Sequence, residues 1–87
     1  MIAPLLLMLA APPQLPLDVR TFVERREGCD HWRGEYSEDP PRRRQIETGV
    51  RKECTGIDRQ LVRLRYKYRR VPRIVAALRD YDKVELR

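Results

Sequence analysis

The sequence predicts a small all-α domain of three or four helices, stapled by one disulfide, behind an N-terminal signal-like segment. Three observations carry this expectation. Apolar residues recur at helical spacing, most clearly Ile57, Leu61, Leu64, Tyr68 and Val71, and no stretch shows the period-two alternation of a strand. Helix-breaking signals divide the chain at Asp39-Pro40-Pro41, at Thr55-Gly56 and at Pro72. The only two cysteines, Cys29 and Cys54, fall in the first and second of the resulting helical segments.

The 87 residues allow one domain at most. No charged side chain occurs before Asp18, so the folding part is shorter still. At that size a single apolar core is marginal and a covalent cross-link helps. Charged residues make up 37% of the chain, against roughly 25% in an ordinary domain, so the core is expected to be thin.

Residues 1–11 read as a signal-peptide-like segment. The apolar run from Ile2 to Ala11 is too short for a bilayer span, which takes about 20 residues, but suits the apolar region of an export signal. Ala10 and Ala11 offer small residues for cleavage, whereas Pro12 suits it poorly, and no Lys or Arg precedes the run. Residues 12–17 form a Pro-rich, extended linker. Export would place the chain in the periplasm or outside the cell, where two cysteines in a small protein most often pair. In the cytosol they would stay reduced.

The helical domain is expected over residues 18–82. The first helix begins with Asp18 as N-cap and Leu17 stapled onto Phe22, and buries Val19, Phe22 and Val23. It covers about 18–28, with an extension to 35 left open: two glycines oppose it, while the heptad spacing of Phe22, Cys29 and Tyr36 favours it. The second helix, about 40–54, is capped by Asp39 with Pro40 at its first position. It presents Ile46, Val50 and Cys54 on one face, where Gly49 would let a partner helix approach closely, and Gly56 ends it in the left-handed conformation. The third, about 58–70, takes Asp58 as cap and staples Ile57 onto Val62. The fourth, about 73–81, follows Pro72 and buries Ile74, Ala77, Leu78 and Tyr81; the tail, 83–87, is expected to fray.

A Cys29–Cys54 bond constrains this layout. In a flush antiparallel hairpin the two cysteines would be roughly 12 Å out of step. A disulfide needs Cα atoms within about 7 Å. Either the two helices cross at an angle, or residues 30–39 include extended chain running back along the second helix.

The densest cluster of chemistry is Cys29-Asp30-His31-Trp32-Arg33-Gly34-Glu35, which holds the only histidine and the only tryptophan. A zinc site from Cys29, His31 and Cys54 with Asp30 or Glu35 would use suitable ligand types, but the paired Cys-x₂-Cys spacing of structural zinc is missing. Catalysis by His31 with Cys29 or Glu35 would need a pocket that a thin helical domain hardly offers. The preferred reading is structural: Trp32 fills the core beside the cross-link, and His31 pairs with Glu35. No catalytic residue, metal, cofactor or small-molecule substrate is expected.

Charge is distributed unevenly. Residues 18–39 carry 4 basic and 7 acidic side chains, net −3, whereas residues 40–79 carry 13 basic and 3 acidic, net +10. Arg42, Arg43 and Arg44 open the second helix against its dipole. Arg59, Arg63, Lys67 and Arg70 share one face of the third, and Arg65, Arg69 and Arg73 another, with Tyr66 between. Such a surface fits an anionic partner: an envelope polyanion, an anionic lipid surface, an acidic protein or nucleic acid. The first seven of these cations, Arg42 through Arg44 with Arg59, Arg63, Lys67 and Arg70, are the candidate contacts.

The Cys-Asp-His-aromatic-x-Gly-Glu stretch at 29–35, followed by Cys54-Thr55-Gly56 and an Arg/Tyr-rich helix, resembles a group of short exported proteobacterial proteins of uncharacterised function. The resemblance covers about residues 18–81 and implies export and a paired-cysteine helical fold, with nothing about substrate. The leading expectation is a non-enzymatic structural or interaction protein, periplasmic or secreted, with a basic face for an anionic partner. The alternative is a cytosolic nucleic-acid-binding protein with reduced cysteines.

Overall fold

The computed structural model describes residues 14–84. The signal-like segment at 1–11 and residues 85–87 of the tail lie outside the described residues. The fold is all-α: α1 (Leu17–Arg33), α2 (Pro40–Cys54), α3 (Ile57–Lys67) and α4 (Pro72–Leu78), with no strand among the described residues. Val19, Phe22 and Cys29 of α1, Cys54 of α2, Ile57, Leu61 and Leu64 of α3, and Ile74 and Leu78 of α4 form one buried cluster. No helix described is long and apolar enough to cross a membrane.

Cys29 and Cys54 are bonded, with Cα atoms 4.8 Å apart. The register problem is solved mainly by the connection. α1 does not stop at Gly28 but continues to Arg33. Gly28 lies against the Glu53 side chain and Gly49 against the Trp32 indole, so the level of Gly49 on α2 coincides with the end of α1. Residues 40–48 therefore overhang α1 by about 13 Å at the helical rise. The non-helical residues 34–39 run back along that overhang, well within the roughly 20 Å that six extended residues can span. Gly28, which reads in the sequence as a stop, acts as a notch: a Cβ there would meet the Glu53 side chain at 3.2 Å.

Several local expectations change. Pro16, not Asp18, is the N-cap residue of α1, and Leu17 is 69% exposed and staples nothing. Asp39 does cap α2, its carboxylate accepting from the Arg42 backbone N–H at 3.3 Å. Gly56, with φ of 79°, precedes α3 directly, so Asp58 sits in the first turn instead of capping it. Its carboxylate accepts from the Val84 N–H at 2.6 Å. Ile57 is buried while Val62 is half exposed, so those two do not pack as a staple. Tyr36, at 83% exposure, lies in the connection and not on the α1 heptad. The segment after α4 is tied down rather than frayed as far as Val84: the Asp82 carbonyl accepts from Arg26 at 2.7 Å, and Val84 packs on the core.

Candidate functional site

The Cys29–Glu35 motif forms a joint between α1 and α2. Its one sulfur, that of Cys29, is bonded to Cys54 and cannot serve as metal ligand or nucleophile. Among the described residues no group of three His, Cys, Asp or Glu side chains is placed to hold a metal ion. Trp32 does not enter the core beside the cross-link. It lies half-buried on α2, where Gly49 leaves room for the indole, with the Arg42 guanidinium 5.4 Å from the ring centre. His31 is exposed and makes an edge contact with Trp32, at 5.1 Å between centroids. The expected His31–Glu35 pair is absent because Glu35 has left the helix and pairs with Arg42 at 2.7 Å. Asp30 takes Arg26 at 2.9 Å and Arg33 at 2.9 Å. Burial raises the Asp30 pKa, but the two guanidiniums outweigh it and hold the carboxyl below its ordinary value.

The candidate anion contacts divide into two groups. Arg42 is occupied by Glu35, by Gln45 and by the face of Trp32. Lys67 donates to Asp18 at 2.7 Å, and Tyr68 donates its hydroxyl to the same carboxylate at 2.8 Å. The Lys67 hydrogen bond holds the Asp18 carboxyl below its usual range, and the Asp18 carboxylate in turn raises Lys67 and Tyr68. Arg43, Arg44, Arg59, Arg63 and Arg70 are exposed and make no ion pair or side-chain hydrogen bond among the described residues.

Three of those five share one face. Ile57, Leu61 and Leu64 turn to the core, which places Arg59, Arg63, Tyr66 and Arg70, at i, i+4, i+7 and i+11, on the opposite side of α3 and its closing turn. Tyr66 is 67% exposed, and the Arg69 guanidinium lies 4.1 Å from its ring centre. This row of unpaired guanidiniums beside an exposed aromatic is the candidate functional face.

Two arginines absent from the candidate contacts prove structural. Arg26 is buried at 6% exposure; it pairs with Asp30, donates to the Asp82 carbonyl and lies 5.4 Å from the Tyr81 ring centre. Its position four residues after Phe22 and three before Cys29 puts it on the core face, so the spacing could have marked it. Arg65 donates to the Leu78 carbonyl at 3.0 Å and to that of Tyr81, anchoring the end of α4. No local pattern signals this, because the acceptors lie 13 and 16 residues away. A groove of about 530 Å³ opens beside that anchor, between α3 and α4, over Tyr68, Val75 and Leu78.

No protein-family model, curated protein or solved structure matches this chain.

Proposed function

We propose that this chain is an exported, non-enzymatic helical module, periplasmic or secreted, that binds an anionic surface or partner through the outer face of α3. The observation that carries the reading is the row Arg59, Arg63 and Arg70, exposed and without an ion pair among the described residues. Guanidiniums left unpaired on a folded surface attract polyanions and release their counterions on contact. The disulfide supports an oxidising compartment, and the apolar run at 2–11 supports export. The reading as a binding module rests on the state of the motif: Cys29 is bonded to Cys54, Glu35 is held by Arg42, and the His31 ring lies against Trp32.

Fractionation followed by intact-mass measurement, with and without thiol alkylation, tests the compartment. The expected result is a periplasmic or secreted protein with neither cysteine alkylated. A cytosolic protein with both alkylated would replace this reading with the nucleic-acid-binding one. Binding to immobilised heparin tests the face, and should weaken steeply as salt rises.

A further inference from the structure

The groove between α3 and α4 has two chemical characters. Its floor is apolar, from Tyr68, Val75 and Leu78. Its rim is cationic, since Arg65, Arg69 and Arg79 border it against the single carboxylate of Asp82. Arg65 and Arg69 are committed to carbonyls, Arg69 to that of Tyr66 at 2.8 Å, whereas Arg79 makes no side-chain hydrogen bond or ion pair among the described residues. The surroundings repeat the pattern. Val62, Tyr66, Val71 and Val75 are all large apolar side chains left exposed. Val62, Arg65, Tyr66 and Arg69 follow one another at i, i+3, i+4 and i+7, so exposed apolar and basic groups alternate along the flank of α3 that borders the groove.

A polysaccharide or nucleic acid would use the guanidiniums and leave the apolar floor wet. An anionic phospholipid satisfies both parts: its headgroup meets Arg79, its acyl chain covers Val75 at the mouth of the groove, and neighbouring lipids meet the exposed valines and Tyr66. Basic residues around apolar side chains at the edge of a helix are the arrangement that holds proteins at anionic bilayer surfaces. We infer that the α3–α4 groove takes an acyl chain of an anionic phospholipid, so that the anionic partner of this protein is a membrane surface. The inference rests on the basic-face reading and deepens it.

The disulfide-bonded chain is tested against vesicles of phosphatidylglycerol, vesicles of phosphatidylcholine, and heparin as a polyanion without acyl chains. Cosedimentation should occur with phosphatidylglycerol and not with phosphatidylcholine. Val75→Ser, which removes the aliphatic side chain without adding charge, should weaken partitioning roughly tenfold. Arg79→Ser should weaken it roughly fivefold. Val75→Ser should leave heparin binding unchanged, which also shows that the variant is folded. Binding to heparin but not to phosphatidylglycerol vesicles overturns the groove and leaves the basic face standing. Unchanged vesicle binding in either variant does the same. Failure of the wild-type chain to bind heparin and vesicles alike overturns both readings.

Discussion

At the α1–α2 joint, Cys29 and Cys54 are covalently tied, Gly28 and Gly49 let side chains of the opposite helix come close, and Trp32 lies along α2 under Arg42. At the α3–α4 end, a seven-residue helix is held by Ile74 and Leu78 in the core and by Arg65 donating to carbonyls, with an open groove beside it. The first region keeps its chemistry-rich side chains occupied with one another. The second leaves guanidiniums and valines facing outward. In a domain this small the reactive-looking motif is tied up in the joint, and the row Arg59, Arg63 and Arg70 lies on the helix and turn that carry no cysteine.

The comparison breaks most severely at the cross-link. Cys54→Ser should cost 2–5 kcal/mol, roughly the range for loss of a native disulfide, measured by urea unfolding under oxidising conditions. The loop it closes spans 25 residues, for which the chain-entropy model gives roughly 3 kcal/mol. A smaller loss is expected at Gly49. An alanine there would gain about 1 kcal/mol in helix propensity, but its Cβ would fall within the Trp32 indole. The net expectation for Gly49→Ala is a destabilisation of about 1–3 kcal/mol, as for other overpacked sites.

Arg65→Met sharpens the contrast from the other side. It removes the donor to the Leu78 and Tyr81 carbonyls and should cost about 1 kcal/mol. Hydrogen exchange should quicken in α4 while α1 and α2 keep their protection, the pattern of a local opening at the end that Arg65 anchors. The smallest effect is the pH dependence. Asp18 and Asp30 have folded pKa values held below the ordinary carboxylate value. Their contribution is therefore complete above about pH 4 and is lost as pH falls through the lower folded values. Lys67 and Tyr68 are raised, so their contribution holds below about pH 10 and is lost as pH rises through the folded values. Asp18→Asn should flatten both limbs of a denaturation midpoint plotted against pH.

Much of the helical layout is legible because it depends on local signals. Asp39 before Pro40 starts α2, Gly56 provides the left-handed turn, and the Ile57–Leu61–Leu64 spacing names the buried face of α3. Gly49 also reads correctly as a point of close approach, although the group that approaches is the Trp32 ring and not a helix backbone. The failures share one cause. His31–Glu35 pairing, Asp18 and Asp58 as caps, and fraying at residues 83–84 are all expectations from neighbours in sequence. Tertiary partners took those groups instead: Arg42 for Glu35, Lys67 and Tyr68 for Asp18, and the Val84 backbone for Asp58. The basic face was legible in outline, but sequence could not separate the free Arg59, Arg63 and Arg70 from the occupied Lys67. Whether an arginine is free depends on carbonyls and carboxylates brought in from distant positions.

The most direct test of the account is the salt dependence of heparin binding for the wild-type chain and for the Arg59→Ser, Arg63→Ser, Arg70→Ser triple variant. Each lost contact should reduce the slope of log affinity against log salt by roughly 0.7–0.9, so the triple variant should lose about 2 or more, with its thermal stability close to wild type. An unchanged slope in a folded triple variant would contradict the claim that the outer face of α3 is where this protein meets its anionic partner.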